Sequence, residues 1–267
     1  MQPSTRTVNV GIIGLGTVGG GVYRLITTHA ERYRKNLGID LRIARVCNRS
    51  EKRAHELGID PEQFTSDWHD VVSDPSIDIV VEVIGGEHPA TEIFEQSFAA
   101  GKHVVTANKA LLGRHMEKLA AAARAAGVQL RCEASCGGGI PIVNTLEHDL
   151  SGNEIITVAG IVNGTTNYIL SRMAEEGLGY EEVLADAQRL GYAEADPTAD
   201  VDGLDAASKI AILSSIGFAT RITTDDVHAQ GIRAISAQDI EVARKLGYAI
   251  KMLAIRTRAS MCACTPP

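Results

Sequence analysis

The chain has 267 residues, enough for one or two domains with a sizeable core. Apolar residues make up 45%, charged residues 22% and aromatics 4%, a globular balance that excludes a disordered or fibrous chain. Twenty-six Lys and Arg against 33 Asp and Glu give a net charge of −7, which argues against a general nucleic-acid binder. No uncharged apolar run reaches the roughly 18 residues of a membrane span. The first twenty residues do not read as a signal peptide, because Asn9 interrupts the apolar run and glycines end it.

Residues 7–13 form a β-branched run that stops at glycine, and 17–30 carry a helical stripe of Val18, Val22, Leu25 and Ile26. A second strand is predicted over 41–47 and a charged helix over 51–57. The near-continuous apolar run 77–84 has the pattern of a strand buried on both faces. A helix over 91–101, a strand over 103–107, an Ala-rich helix over 114–127 and a strand over 128–134 follow. Strands alternating with helices of this length imply βαβ units, so the fold class is α/β, a Rossmann-type doubly wound parallel sheet. The rhythm changes after Ala134. A glycine-rich link (135–141) leads to helices over 142–150, 167–177, 180–191, 204–218 and 237–247, with strands over 156–163 and 248–259. The acidic stretch 194–203 reads as a loop. This mixture predicts a second, α+β domain, to which the resemblance described below assigns substrate binding and dimerisation. The domains are therefore taken as 1–134 for the dinucleotide and 135–259 for the substrate, with 260–267 as an irregular tail.

Gly14-Leu15-Gly16-Thr17-Val18-Gly19 is a GxGxxG between a strand and a helix, the context that gives the pattern its meaning. Its first glycine makes the tight turn, its second admits a pyrophosphate, and its third lets helix and strand pack. The free N–H groups of the helix start then face the phosphates. At the end of the second strand an NAD site usually offers an acid. Here Asn48 and Arg49 stand instead, and a guanidinium can fork a 2′-phosphate, so NADP is favoured and NAD stays possible. Thr106 and Lys109 follow a buried strand at its carboxyl end, where ligands of such sheets bind.

In the second half, Asp205 and Lys209 lie four apart on one helix face among Ala206, Ile210, Ala211 and Leu213. Glu194, Asp196, Asp200 and Asp202 crowd just upstream without the ligand order of a calcium loop. The five cysteines lack a zinc spacing and fit reduced thiols of a cytoplasmic protein.

These segments together resemble the homoserine dehydrogenase family: GLGTVG, EVIGG (82–86), TANKALL (106–112), EASCGGGIP (133–141), GIVNGTTNYIL (160–170) and GYAEADPTADVDGLDAASK (191–209). The resemblance covers about residues 7–258. It implies NAD(P)-dependent interconversion of L-homoserine and L-aspartate 4-semialdehyde, on the route to threonine, methionine and isoleucine. It implies that Lys209 exchanges the proton, that Lys109 stands near substrate and cofactor, and that Glu194 and Asp205 hold the substrate. It implies a monovalent cation, usually sodium, on the backbone around Glu133, Cys136, Gly138 and Ile140. It also implies a dimer or tetramer without nucleic-acid or membrane partners. The family continues past the strand at 248–259 with a further strand and a helix, which SMCACTPP does not resemble. The second domain is therefore expected to be incomplete and the chain weakly active. Two other readings remain open at this point: another NAD(P)-dependent dehydrogenase of a small amino or hydroxy acid, and a non-catalytic homologue.

Overall fold

The structure, a computed structural model, describes residues 5–258 and the backbone of 262–265. The chain divides into two compact units, with the division between Gly139 and Ile140, inside the glycine-rich link.

The first unit runs β1 (Arg6–Ile13), α1 (Thr17–Thr28), α2 (Ala30–Leu37), β2 (Ile39–Cys47), α3 (Lys52–Glu56), β3 (Phe64–Thr65), α4 (His69–Val72), β4 (Ile79–Glu82), α5 (Ala90–Ala99), β5 (His103–Thr106), α6 (Lys109–Ala125) and β6 (Leu130–Arg131). Its six strands are all parallel, in the order β3-β2-β1-β4-β5-β6. This is the doubly wound order that reverses at β1 and opens a crevice beyond the strand ends. Side-chain alternation explains the two covered faces. Val10 and Ile12 of β1 join Ile26 of α1 and Ala54 of α3 in one core. Between them, Gly11 faces the other way, where a Cβ would lie 2.4 Å from Val71 of α4.

Several local differences from the sequence reading have physical causes. The amphipathic α2 was not expected, although it carries Glu31 in its first turn, Arg34 and Lys35 in its last, and left-handed Gly38 as its cap. The strand predicted over 128–134 pairs with β5 only through Leu130 and Arg131, because a 3₁₀ turn begins at Glu133.

The second unit contains α7 (Ile142–Asn144), β7 (Thr157–Gly160), α8 (Gly164–Glu176), α9 (Tyr180–Arg189), α10 (Thr198–Val201), α11 (Leu204–Gly217), β8 (Val227–Ala229), α12 (Ala237–Lys245), β9 (Leu253–Thr257) and β10 (Cys262–Thr265). A π-helical stretch, Thr145–Asp149, continues α7, closed by the Leu150 N–H donating to Thr145 O at 2.9 Å. The sheet order is β7-β9-β10-β8, antiparallel except for the β10–β8 pair. The core joins α8, α9, α11 and α12 through Ile169, Leu170, Met173, Val183, Ala207, Ile210 and Ile240. On the other side of α11, Ala211 packs with Ile222 and Val227. The helix is therefore apolar nearly all round, as expected of an element covered on every side.

The expectation of an irregular tail over 260–267 is corrected at 262–265, which form β10. Backbone pairing makes few demands on side chains, and this segment meets two partner edges, β9 and β8, at once. Similarly, the strand expected over 248–259 is ordered as β9 only where β7 and β10 flank it. The acidic stretch 194–203 is not wholly loop, since Thr198–Val201 make one helical turn.

Candidate active site

In the first unit the glycine turn behaves as its spacing implies. Gly14 has φ +105°, a left-handed conformation that favours glycine, and a Cβ there would meet Val83 O at 2.8 Å. A Cβ on Gly19 would lie 1.9 Å from Gly14 O, so helix and turn touch at backbone distance. At Gly16 nothing lies within 4 Å, and Gly16, Thr17 and Val18 are exposed at the start of α1. The N–H groups of such a first turn have no intrahelical partner, an arrangement that suits an anion.

A cavity of about 410 Å³ opens at this turn. Gly14, Gly16, Asn48, Arg49, Trp68 and Ile84 are among its walls. Asn48 spends its amide on the loops themselves: Oδ1 accepts from Leu15 N at 3.1 Å, and Nδ2 donates to Ser50 O at 2.9 Å. Arg49 is exposed on the wall. The chain's single tryptophan, Trp68, stacks on His69 with ring centroids 3.7 Å apart. Cys47, also on the wall, is buried, and that burial pushes its thiol up to about 11, so it stays a neutral thiol.

Beside the cavity runs a buried network that the sequence reading missed. Glu82, fully buried at the end of β4, accepts from Ile84 N at 2.9 Å and from Thr106 Oγ1 at 2.8 Å. Thr106 Oγ1 accepts from Asn108 N at 2.9 Å, and Asn108 Nδ2 donates to Gly86 O at 2.7 Å. Asn108 also caps α6 by accepting from Leu111 N at 3.2 Å, and this places half-buried Lys109 on the first helical residue. The signal was a carboxylate deep inside a largely apolar run, which must find donors when buried. In the 3₁₀ turn at Glu133, that residue's carbonyl accepts from Cys136 N at 3.4 Å.

In the second unit, Lys209 Nζ lies 2.8 Å from Asp205 Oδ2, with side-chain exposures of 17% and 4%, so the pair is largely out of water. Lys209 also donates to Val162 O at 2.7 Å. Asn163, next in the chain, donates from Nδ2 to Asp205 Oδ2 at 2.9 Å and to Asp200 Oδ1 at 2.7 Å. The surface i, i+4 pair that Asp205 and Lys209 could have been is therefore a buried, bracketed ion pair. Such a pair is stable only when its remaining groups are hydrogen-bonded, as here. Glu194 is exposed in the stretch after α9, with its backbone carbonyl held by Gln188 Nε2 at 3.1 Å. Among the described residues, no group of three or more His, Cys, Asp or Glu is placed to hold a metal. No helix among them is long and apolar enough to cross a membrane.

The strand order, glycine turn and adjoining cavity define a dinucleotide-binding α/β unit, followed by an α+β unit carrying a buried lysine–carboxylate pair. Residues 14–133 match the family description "Homoserine dehydrogenase, NAD binding domain", and 141–266 match "Homoserine dehydrogenase". The homoserine dehydrogenase of Synechocystis sp. is 49% identical over 249 residues, 93% of this chain and 57% of the relative. That of Bacillus subtilis is 43% identical over 253 residues, 95% of this chain and 58% of the relative. The crystal structure of a homoserine dehydrogenase from Thiobacillus denitrificans superposes with TM-score 0.93 at 44% identity, covering 98% of this chain and 61% of that one. The chain belongs to the homoserine dehydrogenase family, and it spans a little under three-fifths of the length of these two curated relatives.

Proposed function

We propose that this chain carries the NADP-dependent interconversion of L-homoserine and L-aspartate 4-semialdehyde. The observation that supports this most is the Lys209–Asp205 pair, 2.8 Å apart inside an otherwise apolar helix of a chain from this family.

The residues of the first unit suit a dinucleotide. Gly16 leaves open space for the pyrophosphate, and the N–H groups at Thr17, Val18 and Gly19 suit its charge. Arg49 is the group for a 2′-phosphate, and Thr106 and Lys109 stand at the strand end suited to the nicotinamide half. When bound, the nicotinamide supplies or accepts the hydride. The chain's own residues move the proton and hold the substrate. In the oxidation of homoserine, Lys209 as a neutral amine takes the hydroxyl proton; in the reduction of the aldehyde, its ammonium form gives a proton to the carbonyl oxygen. The Asp205 and Glu194 carboxylates suit the substrate's ammonium group. For the monovalent cation the donors would be the backbone around Glu133, Cys136, Gly138 and Ile140. The Ile140 carbonyl accepts one backbone N–H, from Ile142, and has a second lone pair to offer, while that of Glu133 accepts two long bonds, from Cys136 and Gly137 at 3.4 and 3.5 Å, which a cation would replace. A homo-oligomer in the cytoplasm completes the reading.

The test is the absorbance of reduced nicotinamide with purified protein, homoserine and each cofactor in turn. Turnover with homoserine and NADP well above that with other small hydroxy or amino acids is expected. Turnover that favours another substrate overturns the assignment.

A further inference from the structure

Resting on the reading of Lys209 as the proton-transfer group, we infer that Asn163 is a positioning residue of this site, whose carboxamide fixes the Asp205 carboxylate beneath the Lys209 ammonium. Asn163 is 4% exposed, and its side chain is fully engaged. Oδ1 accepts from Thr166 N at 2.8 Å and from Thr166 Oγ1 at 2.9 Å, and so caps α8. A backbone N–H can only donate, so Oδ1 must face Thr166 and Nδ2 must face the carboxylates. Nδ2 has two hydrogens, and two carboxylates take them: Asp200 at 2.7 Å and Asp205 at 2.9 Å.

Two consequences follow from that count of donors. The amide is a neutral spacer that satisfies two acidic groups which would otherwise repel each other in a buried place. Both members of the ion pair thereby meet one dipeptide, because Val162 O accepts from the Lys209 ammonium while Asn163 Nδ2 donates to the Asp205 carboxylate. Asp205 and Lys209 sit one turn apart on α11, and their geometry is set by a different element, the entry to α8. A helix cap alone would need only the oxygen of Asn163. The second half of the side chain instead holds Asp205 at the lysine site and Asp200 of α10.

The two halves can be separated by mutation. Asn163→Asp keeps an acceptor for the cap, since Asp and Asn are comparable N-caps, but replaces both donors with a third carboxylate. Asn163→Ser keeps a capping oxygen without adding charge and cannot reach both acids. The full chain of each variant is compared with wild type and with Lys209→Ala. Three readouts are used: thermal unfolding, turnover with the cofactor KM, and the ¹⁵N spectrum of lysine ammonium groups, in which Lys209 is identified by its loss in Lys209→Arg. The expected result for Asn163→Asp is turnover lowered 10- to 100-fold, an unchanged cofactor KM, a folded protein, and a Lys209 ammonium signal that moves or disappears. Asn163→Ser moves the signal in the same way and secures the test if the aspartate variant fails to fold. An unmoved ammonium signal in the folded variants overturns the inference, whatever the turnover. Normal turnover in Lys209→Ala instead overturns the acid–base reading, and the ammonium signal then still reports on the bracket by itself.

Discussion

In the glycine turn, position is set by space left empty: a methyl on Gly19 would sit 1.9 Å from Gly14 O, while one on Gly16 would meet nothing within 4 Å. In the lysine site, position is set by groups that are present, with Lys209, Asp205, Asn163 and Asp200 held through donors and acceptors at 2.7–2.9 Å. The first arrangement tolerates no added atom at Gly14 or Gly19, and the turn carries no side-chain charge. The second depends on charge, so removing one member leaves another buried with an incomplete shell. A nucleotide site of the first kind binds through backbone amides, whereas a proton-transfer site of the second kind keeps its reactive group in a defined place.

The comparison can be broken most forcefully at Lys209. Lys209→Ala is expected to lower turnover by about 10²–10⁴-fold while cofactor binding survives, as measured by steady-state kinetics beside a cofactor titration. Parallel loss of both would mean that the lysine serves the fold rather than the reaction. At the turn, Gly19→Ala is expected to destabilise the protein by about 3 kcal/mol, because the added atom overlaps backbone that cannot move aside. Gly16→Ala should stay within about 1 kcal/mol of wild type and lose cofactor affinity alone. Chemical denaturation of both variants checks this contrast, and equal destabilisation would contradict it. Arg49→Ala is expected to weaken NADP by about 1.5–3 kcal/mol and NAD much less, read from the ratio of the two dissociation constants. Equal weakening would remove Arg49 from cofactor choice.

The smallest effect sharpens the comparison by showing charge that serves the fold alone. Asp40 in β2 accepts from Arg34 at 2.6 Å and Arg42 at 2.7 Å, and these bonds hold its carboxyl below the usual range. A carboxylate depressed in the folded state contributes stability that is complete above its unfolded value, near pH 4, and is lost as pH falls through the folded value. The difference in unfolding midpoint between wild type and Asp40→Asn should therefore be full at neutral pH and shrink below about pH 4. A difference that does not change with pH would show that the arginines act by packing.

Most of the first unit was legible because its signals are local. Buried parallel strands read as apolar runs, and the glycine turn declares itself in six residues. The elements overlooked there include the two-residue β3 and the four-residue α4, too short for a pattern, and the surface helix α2, too polar for a core stripe. In the second unit, Asp205 and Lys209 were legible from their spacing in an apolar helix, but their partners were not. Asn163 is 42 residues from Asp205, and nothing in its local sequence distinguishes an ordinary helix cap from a cap that also grips two acids. Glu82 could have been found, since an acid flanked by apolar residues in a buried strand demands donors, yet the donors themselves come from the fold.

The place of β10 in the second sheet has a consequence for the order in which the two units can form during synthesis. All strands of the first sheet have been made by Arg131, and each pairing there joins strands already in hand. In the second sheet β8 touches no strand except β10, and β10 is the last of the four to be made. The ribosome adds about 5–20 residues per second, so the first sheet can close on the order of ten seconds before the second has its connecting strand. Late in that interval, once Thr257 has been made, the edges of β8 and β9 have no β10 between them, and exposed edges of this kind recruit other chains. A nascent-chain series should show protease resistance of the first unit as soon as Arg131 clears the exit tunnel. That of the second should appear only after Thr265 does.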